Sequence, residues 1–197
     1  DDHSWSDRSV EVGVEGGESE RIQRWWFGEI HRLNADPSSD KYEEAPKEER
    51  GRVTEAMKII ERIADSPEGY PRCNRVFERN CREGDLNAIL DEARVWKGPP
   101  ERKNGKVTLG SHTELNIAGT DREWDRPYED IAYTEDSYRE GKWSIAATLV
   151  HELAHACTID HNSNPSSEEM VGICGLTPPE EQGMESERMG QGKVYYP

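Results

Sequence analysis

Three ionisable residues lie close together in the most apolar stretch of this chain. The stretch reads Trp143-Ser-Ile-Ala-Ala-Thr-Leu-Val-His-Glu-Leu-Ala-His-Ala-Cys157. Its Ala, Leu and Val content on all sides predicts a helix buried in the core, with Ser144 as its N-cap. Residues four apart share a helix face, so His151 and His155 can point at one metal ion. Glu152 lies about 100° round the axis from His151, where it can reach a water without being a ligand.

The alternative is that these three residues are ordinary polar groups of a core. Unpaired burial would cost each of them about 1–3 kcal/mol or more, and a shared metal ion removes that cost. The spacing is the H-E-x-x-H arrangement of zinc peptidases. In such sites zinc activates a water and polarises the scissile carbonyl, while the Glu moves the proton. We therefore predict Zn²⁺ at His151 and His155, with Glu152 as the general base.

A catalytic zinc takes a third protein ligand and leaves a fourth position open. Residues 151–162, His-Glu-Leu-Ala-His-Ala-Cys-Thr-Ile-Asp-His-Asn, resemble the metzincin signature H-E-x-x-H-x-x-G-x-x-H, especially the matrix metalloproteinase version. This resemblance implies that His161 is the third ligand. The following residues, up to Met170, also resemble the matrixin path to the turn that places a Met beneath the metal.

The sequence departs from the metzincin pattern at Thr158, where that family has Gly. If the helix continued, His161 would lie about 9 Å further along the axis than His155 and would be rotated away from the metal. The chain must therefore turn sharply near Thr158, although a positive φ is costly for a β-branched residue.

Glu169 is the alternative third ligand. Asn164-Pro-Ser-Ser-Glu-Glu169 reads as a helix start, with Ser166 or Ser167 as the cap and acids in the first turn. Gly172 would let this helix approach its neighbour closely, which is how gluzincins supply their third ligand. Glu168 and Glu169 could equally be ordinary first-turn acids. The chain has only six His but 41 Asp and Glu, so the spacing of three His favours His161.

The C-terminal part loosely resembles another group of zincins. Scattered residues from Glu168 to the Tyr195-Tyr196 pair are similar to bacterial effector zincins, which are secreted toxins of pathogens. The resemblance implies a secreted or exported protein. Tyr195 or Tyr196 could stabilise the oxyanion formed during hydrolysis, as a Tyr does in some zincins, or could simply pack. His112 is interpreted as a surface or strand histidine.

The elements that must position these residues can be partly predicted. Lys106–Leu109 and Glu114–Ile117 alternate polar and apolar residues, which predicts two short strands where zincins place the edge strand that aligns substrate. The segment 119–141 reads as a long surface connection. Three apolar stripes predict amphipathic helices: Ile22, Trp26, Ile30 and Leu33; Val53, Met57, Ile60 and Ala64; and Leu86, Ile89, Leu90 and Ala93, with Asp85 as N-cap.

These elements predict an α+β, zincin-like metallopeptidase fold. It has a helical N-terminal part, a small mostly antiparallel sheet and a buried active-site helix. Residues 19–197 are expected to form a single metallopeptidase domain behind a flexible polar segment, residues 1–18. The opening Asp1-Asp2-His3, without an initiator Met, leads us to expect a mature or excised fragment.

Composition limits the partners. The chain has 32% hydrophobic residues, a mean hydropathy of −1.00 and a formal charge of −16. Such an acidic surface repels phosphate backbones, so no nucleic-acid partner is expected. No apolar run is long enough to span a bilayer. The expected partner is a protein or peptide substrate.

The four cysteines leave their redox state open. Cys73, Cys81, Cys157 and Cys174 allow two disulfides in any of three pairings, or buried free thiols. Disulfides would indicate an oxidising compartment.

The sequence predicts a zinc-dependent endopeptidase. One form of this prediction is a secreted effector or toxin. The alternative is a catalytically inactive zincin-fold binding module. The intact Glu152 argues against that alternative, because binding alone does not require the acid.

Overall fold

A computed structural model describes residues 19–27, 40–100, 102–103, 106–107, 110–115 and 128–176. This part of the chain is α+β, as predicted, with helices around a small mixed sheet. The predicted flexible segment, residues 1–18, lies outside it. The elements in chain order are α1 (Glu20–Phe27), a 3₁₀ turn (Lys47–Glu49), α2 (Arg50–Ala64), α3 (Pro71–Asn80), α4 (Leu86–Glu92), β1 (Ala93–Lys97), β2 (Arg102–Lys103), β3 (Lys106–Val107), β4 (Gly110–Leu115), β5 (Tyr128–Tyr133), α5 (Glu135–Glu140), α6 (Lys142–Ala156) and α7 (Ser167–Ile173).

The predicted helical stripes correspond to α1, α2 and α4. The whole α2 stripe is buried, as are Ile22 and Trp26 of α1. Residues 30 and 33 of the first stripe lie outside the described residues. Asp85 caps α4 as expected, since its carboxylate accepts a hydrogen bond from the Ala88 amide at 2.9 Å. Ala93, however, does not extend this helix but begins β1.

Helix α3 was not predicted, although its sequence carries a signal. It begins with Pro71 at its first position, where a missing N–H costs nothing. Cys73, Val76 and Phe77 then recur at helical spacing and are buried.

The sheet has the order β1-β5-β4, with β5 in the centre. β1 pairs with β5 in parallel, and β4 pairs with β5 antiparallel, so the sheet is mixed and the prediction of a mostly antiparallel sheet holds only in part. The predicted strand at 106–109 begins in β3, which forms a separate two-stranded antiparallel pair with β2. The predicted strand at 114–117 shares only its first two residues with β4.

The prediction of a surface connection over residues 119–141 is also wrong, because this segment contains the central strand β5 and helix α5. Ile131, Ala132 and Tyr133 are fully buried. The acidic residues of β5 make this strand resemble a surface segment in the sequence, although they are buried and paired inside the fold. Asp130 accepts two hydrogen bonds from the Arg94 guanidinium, at 2.7 and 2.9 Å, and both side chains are buried.

Helix α6 is the buried helix predicted around His151. It packs against α2 and α7 and against one face of β4 and β5. Its N-terminus differs from the prediction. Gly141 has a φ of 102° and is the N-cap, so Ser144 lies inside the helix and is completely buried. Only glycine adopts such a φ readily, which explains the earlier start.

Two disulfides resolve the pairing of the cysteines. Cys73 is bonded to Cys174, and Cys81 is bonded to Cys157. Both bridges connect α3 or its C-cap to the segment that follows α6. They fit an extracellular or otherwise oxidising environment. Among the described residues, no helix is both long and apolar enough to cross a membrane.

The Arg94–Asp130 pair yields a stability prediction. Asp130→Asn removes the charge that compensates a buried guanidinium, and we expect a loss of about 3–5 kcal/mol in the free energy of unfolding. Urea denaturation measures this. The double variant Arg94→Met/Asp130→Leu, which removes both charges, should recover most of the loss. A double variant no more stable than Asp130→Asn would contradict this account of the pair.

Candidate metal centre

The chain reverses direction immediately after α6, at Thr158. The Ile159 amide donates to the Ala154 carbonyl at 2.9 Å, and the Thr158 amide donates to the His155 carbonyl at 3.0 Å. These two bonds form the Schellman motif, which requires a left-handed residue between the helix and the buried apolar residue that follows. Thr158 is that residue, with a φ of 62°. The sharp turn expected from the sequence is therefore present, on a β-branched residue.

Helix α7 ends in the same way, and with glycine in the strained position. The Leu176 amide donates to the Val171 carbonyl at 2.9 Å, and the Gly175 amide donates to the Gly172 carbonyl at 3.0 Å. Gly175 has a φ of 77°. Each helix thus ends in a half-cystine, a left-handed residue and a buried aliphatic residue. The end of α6 carries the same geometry at a higher conformational cost.

The reversal brings His161 back to the two histidines of α6. One ring nitrogen from each of His151, His155 and His161 lies within 4.8 Å of the other two. The Nε2 atoms of His151 and His155 are 3.0 Å apart. Two nitrogens bound tetrahedrally to one zinc stand about 3.3 Å apart, given Zn–N bonds of about 2.0–2.1 Å. The three imidazoles can therefore hold a metal ion.

Burial keeps the α6 imidazoles in the form that binds metals. Desolvation, with the neighbouring His155 adding to it, lowers the pKa of His151 to about 4. Desolvation and the nearby His161 also lower the pKa of His155. Both rings are therefore neutral at neutral pH, which is the state that coordinates a cation.

Glu152 is buried beside this cluster, with only 6% of the residue exposed. Burial, reinforced by the charge of Glu168, raises the pKa of its carboxyl to about 8. A cation held by the three histidines would oppose both effects, because a nearby positive charge favours the carboxylate. The donor set and this acid therefore fit a divalent metal.

Glu168 contacts the cluster from the first turn of α7. Its carboxylate is hydrogen-bonded to Nδ1 of His161. Burial acts to raise the pKa of Glu168, but hydrogen bonds from its own backbone amide and from His161 outweigh it, so the pKa is lowered. A carboxylate that binds the second nitrogen of a ligating histidine fixes the ring's orientation and tautomer. Sequence reasoning treated Glu168 only as a neighbour of Glu169.

Glu169, the alternative third ligand, points elsewhere. Its carboxylate accepts from the Ser166 amide at 3.0 Å, while the Ser166 hydroxyl accepts from the Glu169 amide at 3.2 Å. This is a capping box, so Ser166 is the cap and Glu169 is exposed. Met170 is buried within α7, not in a turn. Tyr195 and Tyr196 lie outside the described residues.

Strand β4 crosses directly above α6. A Cβ atom on Gly110 would lie 2.4 Å from Cγ2 of Thr148 and 3.3 Å from Cγ of Glu152, so only glycine permits this approach. Among the described strands β4 is paired only with β5, which makes it an edge of the sheet. An edge strand therefore lies beside the buried acid.

The turn after α6 can be tested against its counterpart after α7. Thr158→Gly removes a left-handed threonine, which costs about 1–2 kcal/mol, and we expect equal or up to about 1 kcal/mol greater stability. Gly175→Thr should cost about 1–2 kcal/mol, because it introduces the same strain at the end of α7. Thermal unfolding of both variants measures the difference. A destabilised Thr158→Gly protein would contradict the strain assigned to Thr158.

The roles of the two α7 glutamates can be separated by isosteric substitution. Glu168→Gln should weaken zinc binding about 10- to 100-fold, because the amide orients His161 less strongly than the carboxylate does. Glu169→Gln should leave zinc affinity unchanged and cost at most about 1 kcal/mol of stability through the cap. Competition with a chromophoric chelator measures the affinities. A larger loss in Glu169→Gln than in Glu168→Gln would make Glu169 the ligand.

Comparisons with known proteins identify no relative of this chain. The chain has no match among protein-family models, curated proteins or solved structures.

Proposed function

We propose that this protein is a zinc-dependent endopeptidase. The observation that carries the proposal is the convergence of three imidazoles beside a buried glutamate. His151, His155 and His161 would hold the metal, and Glu152 would serve as the general base. Three His ligands with a free fourth position are a donor set of catalytic zinc sites.

Each residue has a defined part in the proposed reaction. Zinc, when bound, supplies a Lewis acid and lowers the pKa of a coordinated water to about 7. Glu152 accepts the proton of the attacking water and delivers it to the leaving amine. Glu168 holds the His161 ring in place. The low solvent exposure of Glu152 would strengthen its interaction with an ion held by the three histidines, because water would screen it little.

The position of β4 supports a peptide as the substrate. An extended peptide could add to this edge strand by main-chain hydrogen bonds, and that would lay its backbone across α6. Gly110, with no side chain, keeps β4 close to Glu152. Strand β4 thus supports the proposed substrate class, and helix α6 supports the proposed reaction.

Secretion or export fits the two disulfides, which persist outside the reducing cytosol. An effector or toxin would be confined to one target protein. Such a protein should leave a panel of generic peptides uncut while it cleaves that target.

The general base gives the sharpest test of the reaction. Glu152→Gln should reduce cleavage of fluorescent casein by at least about 10²–10⁴-fold, because the amide cannot accept a proton. Zinc content, measured by elemental analysis, should stay at the wild-type level.

Glu140→Gln, the same chemical change at an exposed residue of α5, is the matched control and should behave as wild type. Retained cleavage by Glu152→Gln, or loss of its zinc, would refute the assigned role. Wild-type protein that binds zinc but cleaves neither casein nor any target would favour the inactive binding module.

A further inference from the structure

Each disulfide has one cysteine that ends a helix and precedes a left-handed turn, but only one of these turns leads to a candidate metal ligand. Cys157 ends α6 before Thr158, and Cys174 ends α7 before Gly175. Thr158 has a φ of 62° and Gly175 has a φ of 77°. Glycine adopts this conformation readily, whereas a residue with a branched side chain does not. The turn that leads to His161 is therefore the one that needs support from the rest of the fold.

The loop beyond this turn has little packing of its own. Ile159 is buried, but no side chain in residues 160–166 is. The side chain of His161 is 57% exposed, and its partner at the far end of the loop is Glu168. The position of His161 therefore depends on how the two ends of the loop are held. At the near end it depends on the turn at Thr158.

The disulfide between Cys81 and Cys157 supports that near end. Cys81 is the C-cap of α3, a helix anchored in the core by the buried side chains of Val76 and Phe77. The two bonded cysteines are separated by 76 residues and are buried as well. The bridge thus attaches the end of α6 to a distant part of the core. A cross-link at Cys157 limits the conformations open to the next residue, Thr158, and so favours the formed turn.

We propose that the Cys81–Cys157 disulfide is a redox gate for the metal centre. The three-histidine site is complete when the bridge is present, and it is open in most molecules when the two cysteines are thiols. Threonine at position 158 makes the turn conditional, because glycine would form it without the bridge. A metal ion binds tightly only to molecules in which the site is complete, so a smaller complete fraction lowers the apparent affinity in proportion.

The gate closes by thiol–disulfide exchange. The thiols of Cys81 and Cys157 lose two electrons and two protons as their S–S bond forms, and a small-molecule or protein disulfide accepts them and becomes two thiols. Reduction by a thiol reverses the exchange.

This inference rests on the proposed peptidase function and adds a form of regulation to it. Inside a reducing compartment the unbridged chain would lack a complete zinc site and would spare the proteins around it. Transfer to an oxidising compartment would complete the site.

The test compares the zinc affinities of full-length variants by competition with a chromophoric chelator. Cys81→Ala/Cys157→Ala removes the bridge and leaves no thiol from it that could bind zinc. Its zinc affinity should fall about 5- to 30-fold, the factor that corresponds to the cost of an unsupported left-handed residue other than glycine. Adding Thr158→Gly to this variant should restore most of the affinity, because glycine forms the turn without the bridge.

Cys73→Ala/Cys174→Ala is the matched control. Its bridge joins residues separated by 101 positions, and the entropy of loop closure rises only slowly with length. Both double variants should therefore lose a similar amount in unfolding temperature. The turn after Cys174 has Gly175 and needs no support, so the zinc affinity of the control should stay within a few-fold of wild type.

The outcomes separate the gate from the peptidase proposal. Wild-type zinc affinity in Cys81→Ala/Cys157→Ala, an equal loss in both double variants, or no recovery with Thr158→Gly overturns the gate alone. A Cys81→Ala/Cys157→Ala protein that does not fold also overturns it, because the bridge would then support the whole fold and not the site. Failure of the wild type to bind zinc overturns both proposals. Bridge-dependent zinc binding by a wild type that cleaves no peptide supports the gate and refutes the peptidase.

Discussion

The candidate site depends on a single backbone reversal, the left-handed residue Thr158 at the end of α6. Helix geometry alone aligns His151 and His155, but no continuous helix can add a third imidazole from position 161. The Schellman bonds to Ala154 and His155 end α6 and send the chain back across its own last turn. A threonine in this conformation costs about 1–2 kcal/mol, which the surrounding structure must offset. Its hydroxyl donates to the Cys157 carbonyl at 2.6 Å, a local bond that glycine could not make.

The disulfides hold this reversal from both sides. Cys157 lies immediately before Thr158, and Cys174 closes α7, the helix that carries Glu168. Both are bonded to cysteines of α3 or its C-cap, so the segment from 157 to 174 is attached to one helix at its two ends. The loop bearing His161 and its orienting carboxylate is thereby fixed without a large core of its own. This arrangement explains how an exposed histidine, with a 57% exposed side chain, can be positioned against the buried His151 and the half-buried His155.

The features of the fold and the site that could be predicted from the sequence are those that depend on residues close together along the chain. The spacing of His151 and His155 was sufficient to predict a shared metal site, because residues four apart lie on one face of an α-helix, with Glu152 beside them. The need for a turn at Thr158 and a serine cap at Ser166 or Ser167 followed from equally local rules, and the cap is Ser166. Strand β5 could not be recognised, because Glu129 and Asp130 resemble surface residues in the sequence. In the fold, Glu129 is hydrogen-bonded to His112 of β4, and Asp130 is hydrogen-bonded to Arg94 of β1. The pairing of the cysteines and the partnership of Glu168 with His161 are likewise decided by contacts that the sequence does not encode locally.

Helix α6 combines two demands that usually conflict. It fills the centre of the core with Ala, Leu and Val, and it also presents three titratable groups, of which His151 and Glu152 are buried and His155 is half-buried. A metal ion would satisfy those groups together, which connects the stability of the protein to the proposed chemistry. The most direct measurement is the anomalous X-ray signal of zinc-loaded crystals at the zinc edge. The account predicts one strong peak coordinated by His151, His155 and His161. Absence of a peak, or a peak with Glu169 in place of His161, would contradict it.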